Sequence, residues 1–272
     1  MTSATELDRA ADLIRNASAL LVCAGAGMGV DSGLPDFRGT EGFWRAYPPY
    51  ARLGLAFEEL ADPVHFGDDP TLAWGFYGHR LRLYRRTQPH HGFHIIRGWN
   101  KPTRVFTSNV DGAFQKAGFP AEHVAEVHGS IHHMQCFNRC GEPVWAAGED
   151  VEIDEETMRA VGELPSCPGC GGLARPNILM FGDYDWQGER SEAILRNVAK
   201  WRTQQDNLAV IELGAGNAIP TVRRMSELAS ARSGALIRVN PREPEIRHGR
   251  GVALALGSLA ALSELDTRIR AG

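Results

Sequence analysis

A chain of 272 residues is long enough to bury a substantial core, and its length suits one main domain carrying a smaller inserted module. With 29 basic against 33 acidic residues the net charge is −4, which is no polyanion-binding profile and argues against a dedicated nucleic-acid binder. No apolar run approaches the roughly 20 residues of a membrane span, and the opening Met1-Thr-Ser-Ala-Thr-Glu-Leu-Asp-Arg9 is polar and acidic where a signal peptide is basic and then apolar. A cytoplasmic protein with no membrane contact is the expectation.

Over residues 4–16, Leu7, Ala10, Ala11, Leu13 and Ile14 recur among charges at near-helical spacing, which predicts an amphipathic helix. The aliphatic run beginning at Ala19 then breaks into Gly25, Gly27, Gly29 and Gly33, the pattern of a buried parallel strand passing into a loop where backbone meets a ligand. The N–H groups of Gly25 and Gly27 are expected to face a pyrophosphate at the start of a following helix. A tight turn that binds nothing is the alternative. Against it stands Pro35-Asp36-Phe37-Arg38-Gly39, whose acid, aromatic ring and guanidinium a structural turn does not need.

After Gly39 the stretch to Gln88 is aromatic-rich and reads as a helical insertion over the loop. The strand and helix rhythm resumes near Pro89, with a helix at Gly92–Trp99, a strand at Thr103–Thr107 and another at His123–Val127. Residues 136–170 interrupt it again with Cys136, Cys140, Cys167 and Cys170 and with the acidic run Glu149–Glu156, expected as a solvated loop or helix start. From Ala174 onward come a helix near Glu189–Arg202, the strand Leu208–Leu213, a helix near Thr221–Arg232, the strands Ala235–Asn240 and Val252–Leu256, and a last helix from Ser258. Such alternation predicts an α/β fold with a parallel sheet covered on both faces and ligands at the carboxyl ends of its strands.

Several stretches at those strand ends carry chemistry. In Thr107-Ser108-Asn109-Val110-Asp111, Asn109 can orient a ribose hydroxyl or a water and Asp111 can accept from a carboxamide; a capping turn that opens the next helix is the competing reading. His128 in Val127-His128-Gly129-Ser130 can act as a general base on a ribose hydroxyl, although His132 and His133 stand close by. Cys136-x-x-x-Cys140 and Cys167-x-x-Cys170 have knuckle spacing, and four thiolates form a closed tetrahedral shell, hence a structural zinc. Gly141 and Gly171 should turn backbone N–H groups toward the thiolates. A nucleic-acid-binding ribbon is the alternative, opposed by the scarcity of basic residues in the module. Cys23, inside the apolar run, is a small buried hydrophobe. Tyr77 and Arg80 are three apart and share a helix face, where a guanidinium fork suits a carboxylate or simply lies in solvent beside a core aromatic.

At these residues the chain resembles the sirtuin family of NAD-dependent protein deacylases. The family's opening signature reads Gly-Ala-Gly-x-Ser-x-x-Ser-Gly-x-Pro-Asp-Phe-Arg-Gly, and here it stands as Gly25-Ala26-Gly27-Met28-Gly29-Val30-Asp31-Ser32-Gly33-Leu34-Pro35-Asp36-Phe37-Arg38-Gly39, with Gly29 in place of serine. The resemblance runs from about residue 19 to 256 and includes Thr107-Ser108-Asn109-x-Asp111, with Ser108 for glutamine, the pair His128-Gly129, and both cysteine pairs. It also includes Arg175-Pro-Asn-Ile178-Leu179-Met-Phe181-Gly182-Asp183, Gly214-Ala215-Gly216 for Gly-Thr-Ser, and Asn240-Pro241-Arg242-Glu243.

The resemblance implies a Rossmann-like NAD-binding domain of residues 1–40, 89–135 and 174–272, and a small domain of the helical insertion 41–88 and the zinc-binding insertion 136–173. It implies cofactor contacts from Gly25, Ala26, Gly27, Asp36, Phe37, Arg38, Ser108, Asn109, Asp111, Gly214, Ala215, Gly216, Asn240 and Pro241. His128 and Asn109 become the catalytic residues. Ile178, Leu179, Phe181 and Gly182 line the acyl-lysine tunnel and pair with the peptide, while Tyr77 and Arg80 match the Tyr-x-x-Arg of sirtuins that remove malonyl and succinyl groups. The expected products are deacylated lysine, nicotinamide and O-acyl-ADP-ribose. Mono-ADP-ribosyl transfer is a rival use of the same site, made credible by Ser108 and by the lost hydroxyls at Ala215 and Gly216; NAD hydrolysis is another, needing only water as acceptor. A non-catalytic zinc-bearing module would leave His128, Asn109 and Asp111 without a task.

Overall fold

The computed structural model of the chain describes residues 2–35, 43–44, 47–52, 54–247 and 251–271. It opens with the expected helix, Ala4–Asn16. Ser3 caps it: the Ser3 hydroxyl accepts from the Glu6 N–H while the Glu6 carboxylate accepts from the Ser3 N–H, a reciprocal pair that satisfies two otherwise unpaired donors.

Six strands build the main sheet: β1 (Ala19–Ala24), β2 (Thr103–Thr107), β3 (Val124–Glu126), β9 (Leu208–Leu213), β10 (Leu236–Val239) and β11 (Val252–Leu254). All neighbours are parallel, in the spatial order β11-β10-β9-β1-β2-β3. The chain therefore winds one way from β1 to β3 and the other way from β9 to β11. In open α/β sheets the crevice for a ligand forms at such a reversal, outside the carboxyl ends of the strands.

Successive side chains of a strand leave on opposite faces, and β1 feeds two cores. Leu20, Val22 and Ala24 join Ile14, Phe93 and Leu262 on one face, while Ala19, Leu21 and Cys23 join Val198 and Val222 on the other. Burial on both sides explains why the strand reads as an unbroken apolar run. Cys23 is fully buried, and that burial pushes its thiol well above the ordinary range. The strand expected at His123–Val127 is shorter because His123 closes a 3-10 turn, Ala121–His123.

A second body lies over the carboxyl edge of this sheet. Helices Pro48–Arg52, Phe57–Leu60, Val64–Asp68 and Pro70–Arg86 supply one part. The other part is an antiparallel sheet of β4 (Gly129–Cys136), β5 (Trp145–Ala146) and β8 (Ala174–Ile178), in the order β5-β4-β8. Residues expected as a solvated acidic loop or helix start instead form a hairpin of β6 (Ile153–Asp154) and β7 (Arg159–Ala160). The Asp154 carboxylate makes that turn by accepting the Glu156 N–H and the Thr157 hydroxyl.

The helix Pro70–Arg86 joins the two parts. Asp69 caps it by accepting the Leu72 N–H, and Pro70 occupies its first turn. At Gly75 a Cβ would lie 1.9 Å from the Met158 carbonyl oxygen, so the helix backbone sits flush against the hairpin. Tyr50 donates to the same carbonyl at 3.2 Å and Trp74 Nε1 donates to Ala174 O at 3.0 Å. The two insertions thus share one aromatic core containing Phe43, Tyr50, Phe66, Trp74 and Phe76. Among the described residues no helix is long and apolar enough to cross a membrane.

Candidate active site

The turns after β1 and β9 cross at the reversal of the sheet and lock together. A Cβ on Gly27 would lie 2.7 Å from Gly214 Cα, and one on Gly25 would lie 2.9 Å from Ala215 Cα. Gly25 donates its N–H to Leu213 O at 2.9 Å and Gly27 donates to Gly214 O at 3.0 Å. This corrects the expected geometry. The two glycine N–H groups hold the crossing rather than face a ligand, and the chain continues into a pair of 3-10 turns, Ala26–Met28 and Val30–Ser32, not a long helix. The N–H groups of Ala26, Ala215 and Gly216 have no protein acceptor among the described residues, and all three residues line the cleft.

That cleft encloses about 480 Å³, within the range of small-molecule sites. Its floor is made by Gly25, Ala26, Gly27, Gly214, Ala215 and Gly216. Ser108, Asn109, Asp111 and His128 enter from the ends of β2 and β3. Asn109 is fixed twice: its N–H donates to the Thr107 hydroxyl at 3.0 Å and its side-chain Nδ2 donates to Gly25 O at 3.0 Å. The capping reading of Asp111 also holds, since its carboxylate accepts the Ala113 N–H at 2.8 Å. Burial raises the Asp111 pKa, and the Ala113 N–H and Arg80 work against that rise.

His128 sits on the two-residue link between β3 and β4, in the same cleft as the glycine crossing. Burial lowers its pKa and a hydrogen bond with the Ser108 backbone partly restores it, so the imidazole is neutral at physiological pH. His132 is committed elsewhere, with Nε2 against Asp111 O at 2.9 Å. Neither His132 nor His133 lines the cleft.

The opposite wall comes from the second body. Tyr77, Arg80 and Tyr84 project from the helix Pro70–Arg86, and Ile178, Leu179 and Phe181 come from the end of β8. The Arg80 guanidinium is buried, donates from Nε and Nη2 to the Tyr84 hydroxyl at 3.2 and 2.9 Å, and stacks within 5.1 Å of the Phe76 ring centre. One edge of the fork is therefore occupied by a phenol, which the spacing of Tyr77 and Arg80 did not reveal. Leu179 and Phe181 are about two-fifths exposed, at 37% and 38%. The turn that carries them is tied by a bidentate pair in which Arg175 Nη1 and Nη2 each lie 2.8 Å from the Asp183 carboxylate, both side chains almost fully buried.

The sulfur atoms of Cys136, Cys140, Cys167 and Cys170 all lie within 4.8 Å of one another, with Cys136 and Cys170 3.7 Å apart and Cys140 and Cys167 3.6 Å apart. Tetrahedral thiolates at a Zn–S distance of about 2.3 Å are roughly 3.8 Å apart, so the set fits zinc. Gly172, not Gly171, supplies the backbone donor to Cys170 Sγ, because Gly171 gives its N–H to Cys167 O.

Some expected contacts fall elsewhere. Asn240 is fully buried, donating Nδ2 to Ala215 O at 2.8 Å and accepting the Arg242 and Glu243 N–H groups, so its side chain supports the floor from behind. Pro241 and Gly182 are exposed and do not line the cleft. Asp36, Phe37 and Arg38 lie outside the described residues. Conversely, His90 was not legible as a site residue. Its N–H donates to Ser32 Oγ at 2.9 Å, its Nε2 lies 2.9 Å from Met28 O and its Nδ1 accepts the Gly92 N–H. It braces the glycine turn from a helix more than fifty residues away in sequence.

The chain is similar to known proteins over most of its length. Residues 25–211 match the model of the Sir2 family. The chain is 32% identical over 261 residues to NAD-dependent protein deacylase 1 of Pseudomonas aeruginosa, covering 94% of this chain and 96% of that one. It is 30% identical over 230 residues to the NAD-dependent protein deacylase of Aquifex aeolicus, covering 84% and 85%. Among solved structures, a complex of a Sir2 homologue with NAD superposes with a TM-score of 0.75 over 97% of this chain and 94% of that chain, at 24% identity.

Proposed function

The chain belongs to the Sir2 family, and from that premise we propose that it is an NAD-dependent protein deacylase acting on acyl-lysine side chains of protein or peptide substrates. One observation carries the reading: His128, Asn109 and the crossed glycine turns, far apart in sequence, face a single cleft. NAD, once bound, supplies a ribose–nicotinamide bond whose loss leaves a carbon open to the acyl oxygen. The protein's own residues do the rest.

The N–H groups of Ala26, Ala215 and Gly216, which have no protein acceptor among the described residues, are suited to the pyrophosphate. Asn109 gives its Nδ2 to Gly25 and keeps Oδ1 for a ribose hydroxyl or an ordered water. Asp111, held by Ala113, is placed to accept from the nicotinamide amide. His128, kept neutral by burial, takes the ribose hydroxyl proton. O-acyl-ADP-ribose and deacylated lysine are the products of this reading.

Tyr77, Arg80, Ile178 and Phe181 form the acyl end, and Leu179 and Gly182 belong to the segment that pairs with the peptide. Because a buried guanidinium borders this end, malonyl and succinyl chains are within its range. Zinc, held by Cys136, Cys140, Cys167 and Cys170, is structural: four protein thiolates leave no open position. A cytoplasmic setting completes the reading, since the thiolates bind metal only while reduced. The sheet domain (1–40, 89–135, 174–272) would carry the cofactor and the small domain (41–88, 136–173) the substrate. No nucleic-acid partner is included, given the net charge of −4.

Incubation with NAD and acetyl-, malonyl- and succinyl-lysine peptides, followed by mass spectrometry, tests this. Acyl loss with matching O-acyl-ADP-ribose is expected, and His128→Ala should abolish it while NAD still binds. ADP-ribose attached to protein, or free ADP-ribose with the acyl group intact, would overturn the deacylase reading in favour of ADP-ribosyl transfer or NAD hydrolysis.

A further inference from the structure

The turn Gly214-Ala215-Gly216 has no polar side chain with which to hold its own shape. Gly214 is held by the Gly27 N–H and by Val239 O, and the Ala215–Gly216 peptide is held from behind at the Ala215 carbonyl. The Ala215 carbonyl oxygen accepts Asn240 Nδ2 at 2.8 Å and Arg223 Nε at 3.1 Å. Arg223 also donates from Nη2 to the Glu243 carbonyl. The Glu243 carboxylate in turn accepts the Asn217 N–H at 3.2 Å and Asn217 Nδ2 at 2.8 Å. One guanidinium, 7% exposed on the helix Thr221–Ser230, thus ties the turn after β9 to the turn after β10.

A trans peptide directs its C=O and the next N–H to opposite sides. Anchoring Ala215 O from the rear therefore aims the Gly216 N–H forward, and Gly216 lines the cleft while Arg223 does not. Glycine at 216 makes this anchor matter, because a residue without a Cβ lets its peptide plane rotate at little cost. We propose that Arg223 is a positioning residue for the cofactor, acting through the Ala215–Gly216 peptide. The role rests on the NAD-dependent reading above. Lysine cannot replace it, since one ammonium does not reach two carbonyls in the fixed geometry of a planar fork. Arg223 also borders a separate cavity of about 350 Å³ that shares no lining residue with the cleft, so a small cation can reach its place from outside.

The test uses the full-length, zinc-loaded chain and an acyl-lysine peptide. Arg223→Lys and Arg223→Gln keep a polar head in the buried position, and circular dichroism checks that they fold. Both should raise the Kd and KM for NAD by about tenfold or more, roughly 1.4 kcal/mol, with kcat at saturating NAD within about twofold and the peptide KM unchanged. Arg224→Ala, altering the exposed neighbour, should bind NAD like wild type. In Arg223→Ala, added ethylguanidine should recover part of the lost NAD affinity. Wild-type NAD affinity in the Lys and Gln variants, or equal losses in kcat and peptide KM, would overturn the positioning role. A wild-type chain that does not bind NAD would overturn the cofactor reading itself.

Discussion

Gly214 and Gly216 belong to the same three-residue turn, yet alanine should be costly at the first and nearly neutral at the second. At Gly214, φ is +61° and a Cβ would lie 2.3 Å from Gly27 C and 2.4 Å from Met28 N. Ordinary contact begins near 3.4 Å, so the crossed turns must part by about 1 Å. That separation removes the bonds from Gly27 N–H to Gly214 O and from Gly25 N–H to Leu213 O, at about 1 kcal/mol each. The left-handed backbone adds about 1 kcal/mol for a residue with a Cβ. Gly214→Ala should therefore lose about 3 kcal/mol, a fall in Tm of about 6–12 °C for a chain of this size, together with NAD affinity. At Gly216 the nearest atom is Glu243 Oε2 at 4.0 Å, and alanine should change stability by less than about 0.5 kcal/mol. Calorimetric melting of both variants decides the matter. Equal destabilisation, or a Gly214→Ala chain within about 0.5 kcal/mol of wild type, would show that the crossing does not constrain the floor.

Replacing Arg80 by Met should cost succinyl and malonyl substrates about tenfold or more in kcat/KM, by loss of a charge-assisted contact, and acetyl substrates much less; equal loss on all three would make Arg80 structural. Because burial lowers the His128 pKa, the neutral base persists to lower pH than for a free imidazole near 6.5. The pH profile of kcat/KM should be flat at neutral pH and fall with acid through a midpoint below that value, and a midpoint above 7 would remove His128 as the base. Purified protein should contain one zinc per chain by atomic emission, and Cys140→Ser should lower both zinc content and Tm. Full activity and an unchanged melt without metal would refute the structural assignment.

The sheet was legible because strands buried on two faces read as continuous apolar runs, as in Ala19–Ala24. His128 and Asn109 were legible because they stand where strands end. The features that stayed hidden depend on long-range pairing that spacing does not encode. The glycines at 25 and 27 announce close approach but not what approaches, which proved to be Gly214 and Ala215 rather than a ligand alone. Asn240 looked like a contact and is a prop, since only the fold shows that the Ala215 carbonyl lies within its reach. The β6–β7 hairpin was invisible for a related reason: four residues of pairing in an acidic stretch leave no periodic signal. Tyr84 shares a helix with Arg80, but its hydroxyl could equally have faced solvent.

Only Val127 and His128 separate β3, in the parallel sheet, from β4, in the antiparallel one. The step is pinned at Gly129, with φ at +79° and no room for a Cβ, which would lie 2.0 Å from Asn177 O. At this crossing, any shift of one layer against the other is taken up within a residue or two of the imidazole. On the proposed role of His128, the alignment of the base then becomes a gauge of how the two layers are seated against each other.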